Sequence, residues 1–147
     1  MRRRFSNKDI RLLSAELSSK YNADDIIDKK STIEQIDDRI TVNGKTFLFG
    51  NLIPTLHLLK NNQFLPRIEI DAGAIKFIAN GADVMRPGIV FVDERIRKDD
   101  IVAVCDSVHK RAIAVGISLF SADEIKELEK GVVIKNIHYV GDKIWNL

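Results

Sequence analysis

The run Gly81-Ala82-Asp83-Val84-Met85-Arg86-Pro87-Gly88-Ile89 places two glycines, a proline and an arginine in nine residues. Pro87 fixes its own φ and pushes Arg86 toward extended backbone. The spacing therefore predicts a stiff bend with a guanidinium at its start, and Gly88 free to take the positive φ of a type II turn. Lys76 precedes the bend on a helical pattern, and Lys110-Arg111 falls in a polar turn between two apolar runs. Cations and exposed backbone N–H groups suit phosphate oxygens, and an arginine plane can stack on an unpaired base. The same residues also suit a barrel-closing turn with solvated charges. Ala114 and Gly116 lie within the strand-like run Ala112-Ile113-Ala114-Val115-Gly116-Ile117. They offer either a small-residue wall for a nucleotide backbone or an internal close contact, the common reason for a glycine inside a strand.

Other reactive types are poorly arranged for catalysis. Cys105 and His109 are near neighbours, but Cys105 sits in an alternating apolar run and reads as a buried thiol. His57, His109 and His138 are scattered without metal-ligand spacing, and no GxxxxGK[ST] phosphate loop is present. The pairs Asp24-Asp25, Asp37-Asp38 and Asp99-Asp100 read as solvated, and Asp71 as a helix cap. No cofactor, metal or catalytic role is expected.

Composition sets the frame. The chain has 147 residues, 45% hydrophobic and 30% charged, with a formal net charge of +2. That suits a soluble globular protein of one domain or two small ones. It excludes a uniformly basic coat, so a nucleic-acid site must be a local patch. Residues 1–66 hold eleven basic and eight acidic side chains, residues 67–147 twelve and thirteen. A single cysteine permits no internal disulfide and fits a reducing compartment. Arg2-Arg3-Arg4 is followed by polar residues rather than an apolar segment, so no export signal is expected.

Periodicity supplies the elements. Ile10, Leu13 and Leu17 predict a helix over 6–21, with Ser6 or Asn7 as cap. A strand over 33–37 and a hairpin about Asn43-Gly44 follow, then a helix with Pro54 in its first turn. Beyond Pro66 the pattern predicts a strand over 68–70 and a helix over 72–80 capped by Asp71. Ile75, Ile78 and Ala79 face inward there, and Gly81 stops the helix. Strands over 90–92, 101–104, 112–119, 132–140 and 143–145 surround a short helix with Ser121 as cap and Glu124 completing a capping box. Many short strands with few helices predict a small, mostly β barrel in the second part.

The residues Asp71 to Ile78 and Gly81 to Ile89 resemble the PUA domain, named from pseudouridine synthases and archaeosine transglycosylases. So do the later runs Val102 to Val104, Ala112 to Gly116, Val132 to Lys135 and His138 to Trp145. Thr41-Val42-Asn43-Gly44, Pro54 to Leu59 and Phe64-Leu65-Pro66 are similar to the malignant T-cell-amplified sequence family, which joins a pre-PUA domain to a C-terminal PUA domain. The resemblance implies an α+β protein: a small α/β pre-PUA domain over 1–66, then a mixed-β PUA pseudobarrel with short helices over 67–147. It implies a non-enzymatic, cytoplasmic RNA-binding protein acting in translation, on tRNA near its acceptor end or on ribosomal RNA. The small ribosomal subunit and a density-regulated-protein-like chain are the partners it implies. The alternative is an adaptor or accessory subunit for an RNA-modifying enzyme or ribosome factor. The groove it implies falls here on Lys76, on Gly81, Ala82, Asp83, Arg86, Pro87 and Gly88, and on Ala114 and Gly116. Lys110 and Arg111 are added on electrostatic grounds.

Overall fold

The computed structural model describes residues 1–147, which form two compact units, Met1–Phe64 with Leu147 and Leu65–Asn146. In the first, strand β1 (Arg2–Arg4) precedes helix α1 (Asn7–Tyr21) and strands β2 (Ile33–Ile36), β3 (Arg39–Val42), β4 (Lys45–Phe49) and β5 (Ile53–Pro54), with helix α2 (Leu56–Leu59) last. The five strands pair antiparallel in chain order. Helix α1 begins where the Ser6 hydroxyl accepts the Asp9 N–H at 3.1 Å and the Asp9 carboxylate accepts the Ser6 N–H at 2.8 Å. Such a reciprocal cap satisfies two donors that the first turn leaves open. Its apolar stripe, Ile10, Leu13 and Leu17, is buried with Ile33, Ile40 and Leu48. Burying each such side chain contributes roughly 1.5–3 kcal/mol. Asn43 and Gly44 both adopt positive φ, 51° and 86°, in the β3–β4 turn.

One expectation fails in this unit, and one strand was not foreseen. Pro54 does not open a helix; it pairs with Leu48 in β5, and Thr55 caps α2 instead. The arginines at 2–4 form β1 on the edge of β2, and Arg2 pairs with Glu34 at 3.0 Å. Their strand partner lies about thirty residues away, beyond the reach of local pattern.

The second unit runs β6 (Arg67–Ile70), α3 (Ala72–Ile78), β7 (Val84–Met85), β8 (Ile89–Val92), β9 (Ile101–Asp106), β10 (Ala112–Ser118), α4 (Ala122–Glu127) and β11 (Val132–Tyr139). The six strands lie in the order β7-β11-β10-β9-β6-β8, a nearly closed mixed sheet in which β6 and β9 are parallel. A parallel pair requires a long crossover. Here residues 71–100 supply it, and they contain α3 and the Gly81–Ile89 loop. Ile68, Ile70, Val102, Val104, Ala114 and Ile134 fill the interior.

Helix α3 ends at Ile78, and Ala79 is exposed rather than inward. Residues 143–145 form no strand. The Asp142 carboxylate accepts the N–H groups of Tyr139 (3.0 Å) and Trp145 (2.8 Å) and meets the buried His138 Nδ1 at 2.9 Å, so the chain turns. Burial pushes the Asp142 carboxyl up, but the Trp145 N–H, the His138 ring and the Tyr139 N–H together hold it below its ordinary value.

Candidate nucleic-acid interface

Helix α3 is held by residues just outside its two ends. Asp71 Oδ1 accepts the Ala74 N–H at 3.0 Å, and the Asp71 N–H donates to Gly88 O at 2.9 Å, tying the helix start to the far end of the loop. Gly81, with φ of 96°, ends the helix by a turn other residues rarely adopt; a Cβ there would also stand 2.9 Å from the Tyr139 ring. Asn136 then clamps the loop from β11. Its Nδ2 donates to Ile78 O (3.1 Å) and Ala82 O (3.0 Å), and its backbone N–H donates to Asp83 Oδ1 at 2.9 Å. Between α3 and the loop lies a groove of about 670 Å³. Ala74, Phe77, Val84, Met85, Pro87 and Val132 supply its apolar walls, and Asp71 and Asp83 its only charged side chains. Phe77 is 58% exposed and Met85 48%. Lys76 stands at the rim, its ammonium 5.2 Å from the centre of the Phe77 ring. An aromatic face beside a cation is the arrangement that holds unpaired bases next to their phosphates.

The bend itself differs from its expected form. Arg86–Gly88 is a turn of 3₁₀ helix, and Gly88 does not take positive φ. Its close approach to α3 suits a glycine instead: a Cβ would lie 3.1 Å from that of Ala74, a tight contact that α3 would have to yield to by a few tenths of an ångström. The Arg86 guanidinium does not project toward the groove. Half-buried, it donates from Nε to Ile125 O at 2.8 Å and from Nη1 to Ile89 O at 3.3 Å, joining the end of α4 to the start of β8. The loop amides are largely engaged as well. Gly81 N–H bonds Ile78 O, Ala82 N–H bonds Phe77 O, Arg86 N–H bonds Gly131 O, and Ile89 N–H bonds Arg86 O. The loop is therefore not an amide cradle for phosphate.

The remaining predicted residues divide in two. Lys110 and Arg111 occupy the β9–β10 turn, which reaches the start of α3 through a Ser107 N–H to Ile70 O bond of 3.1 Å. Lys110 is engaged by the buried Glu69 carboxylate at 2.7 Å; Arg111 is exposed. Ala114 and Gly116 are buried and form no surface wall. Gly116 sits at a register shift between β10 and β11, where a Cβ would meet Ile134 Cγ2 at 2.3 Å and Lys135 O at 2.8 Å. It is the internal contact of the two alternatives. Residues not singled out from sequence as contributors are Phe77, Val132 and Asn136. An aromatic on the polar side of the α3 pattern was the one signal available for Phe77.

Cys105 is fully buried, and burial pushes its thiol up to about 11. His109 turns to Asp106, 3.5 Å away, so the two do not make an activated pair.

The PUA domain model matches residues 66–140, which span α3, the loop, β10 and β11. The chain belongs to the PUA-domain family. Translation machinery-associated protein 20 of Schizosaccharomyces pombe is 38% identical, over 92% of this chain and 82% of that protein. Malignant T-cell-amplified sequence 1-A of Xenopus laevis is 38% identical over 116 residues, 74% of this chain and 64% of its own length. A conserved PUA domain protein from Thermoplasma acidophilum, of known structure, superposes with a TM-score of 0.83 at 29% identity over 99% of this chain and 98% of that one. The likeness thus extends through the first unit as well as the PUA segment, as the residues 41–66 suggested.

Proposed function

We propose that this PUA protein binds RNA through the α3 groove and serves translation in the cytoplasm, without catalysis of its own. The observation that carries the reading is the exposed Phe77–Met85 surface beside Lys76, within the segment matched by the PUA model. Its apolar walls and aromatic face suit bases, while the cations outside it suit the backbone. Lys76 and Arg111 are two such cations; exposed Lys130, just before the Gly131 carbonyl that receives the Arg86 N–H, is a third. The likeness to a protein named for the translation machinery supports tRNA or ribosomal RNA as ligand. The small ribosomal subunit, or a chain like density-regulated protein, is then the assembly partner.

The test is binding of labelled tRNA and of ribosomal RNA fragments by the full chain across a salt series. Association that weakens as salt rises, with a slope of two or three released counterions, is expected. Failure of every structured RNA to bind at low salt overturns the reading and leaves the adaptor role, in which the fold meets a protein.

A further inference from the structure

We propose that the edge formed by β1 and the first turns of α1 is a second RNA-binding surface, one that holds the phosphate backbone of a duplex without reading its sequence. The proposal rests on the RNA-binding reading above and adds a contact made by the first unit. Charge locates it. Residues 1–11 carry five basic side chains and one carboxylate, whereas residues 12–147 carry eighteen basic and twenty acidic. The net charge of +2 is thus more than supplied by the first eleven residues. A cationic patch on an otherwise slightly acidic chain is where a polyanion is drawn.

Partners separate these cations into two sets. Arg2 meets Glu34 at 3.0 Å and Arg3 meets Asp9 at 2.9 Å. Arg4, Lys8 and Arg11 are exposed and make no ion pair or side-chain hydrogen bond within the fold. Lys8 and Arg11 stand three residues apart on α1, hence on one face. Arg4, four residues before Lys8, is at most about 14 Å from it. The backbone of β1 adds donors. Asp37 N–H bonds Met1 O and Phe5 N–H bonds Ile33 O, so alternation turns the N–H groups of Arg2 and Arg4 toward the open edge. Cations and open amides together suit phosphate oxygens. Arginines also guard a sheet edge against other strands. That accounts for residues 2–4 but not for Lys8 and Arg11 on the helix. Leu12 is the one large apolar side chain that α1 exposes, too little for the apolar core of a protein interface.

Binding of a short blunt RNA duplex, which offers no unpaired base, to the full chain across a salt series tests this. The parent protein is expected to bind with a salt slope of about three. An RNA that reaches both surfaces would add this slope to that of the α3 groove. Arg4→Gln/Lys8→Gln/Arg11→Gln removes exposed charges that no partner uses. It is expected to melt at the parent temperature, bind the duplex at least about tenfold more weakly and lose most of the slope. Lys29→Gln/Lys30→Gln/Lys45→Gln removes the same charge from exposed side chains elsewhere in the first unit, and its affinity should stay within about threefold of the parent. Equal losses in the two triple variants would mean that net charge alone attracts the duplex, and would remove the site. A parent protein that binds tRNA but not the duplex overturns the proposal and leaves the RNA-binding reading standing. Duplex binding lost in the first triple variant, with tRNA affinity unchanged in Phe77→Ala, keeps this surface and overturns the α3 groove. If no RNA binds at low salt, both readings fall together.

Discussion

Two grooves flank the Met85–Gly88 turn, and they differ in a way that reverses first expectation. One, of about 710 Å³, holds Arg86, Arg95 and Lys126. The other, about 670 Å³, holds none of the three and no other cation. Counting charges would place an RNA site in the first. Yet its cations are occupied: Arg86 by two carbonyls, Arg95 by the Asp93 carboxylate at 2.8 Å and Lys126 by Glu94 at 3.5 Å. Apolar side chains stand in solvent in both, Val90 and Phe91 in the first, but the second exposes its aromatic ring further (Phe77 58%, Phe91 41%) and adds a methionine. Unsatisfied surface is a better guide to a binding face than formal charge.

That contrast can be broken by substitution. Gly116→Val should have the largest effect, since Ile134 Cγ2 and the Lys135 carbonyl leave no room for a Cβ. A loss of about 3 kcal/mol is expected in urea unfolding; a loss below 1 kcal/mol would mean that the strands can separate and that Gly116 is not an internal contact. Arg86→Met should follow, at about 2 kcal/mol, because two carbonyls lose their donor. RNA affinity of the folded variant should stay within a factor of two. A stable Arg86→Met protein with lost RNA binding would return the guanidinium to the ligand.

Phe77→Ala should do the opposite. Its exposure limits the stability change to about 0.5 kcal/mol, whereas RNA affinity should fall about tenfold through lost stacking. Equal losses in both assays would make the ring structural. Lys76→Ala should lower affinity a few-fold and reduce the salt slope by about one; an unchanged slope removes Lys76 from phosphate contact. The smallest effect concerns the occupied groove alone. Hydrogen bonds from Arg95 hold the Asp93 carboxyl at about 2 against partial burial. A folded-state value below the unfolded one stabilises above about pH 4, and that contribution is lost as pH falls toward 2. Asp93→Asn should flatten the acid limb of a pH–stability curve between those limits and leave RNA binding at neutral pH unchanged.

Local chemistry was legible in the sequence. The caps at Ser6, Asp71 and Ser121, the Asn43-Gly44 turn and the positive φ at Gly81 depend on residues two to four positions apart, so short windows reveal them. What escaped is non-local. Arg86 reads as a free cation until Ile125, 39 residues on, supplies the carbonyl that holds it. The Arg2–Arg4 strand needs β2, and the wall at Gly116 needs Ile134. Pro54 shows a different limit: a helix-opening residue was captured by sheet pairing with Leu48. Within the site, Lys76 falls on α3 and Pro87–Gly88 on a tight turn as read, while the Arg86 guanidinium and several loop amides are taken up inside the fold. Ring exposure at Phe77 depends on what the tertiary fold leaves uncovered.

The most direct measurement is short-wave ultraviolet crosslinking of unmodified tRNA to the full chain, followed by peptide mass spectrometry. Adducts on the peptides bearing Phe77 and Met85 are the predicted result. Adducts confined to residues 90–95 and Lys126, on the cation-bearing side, would contradict the account.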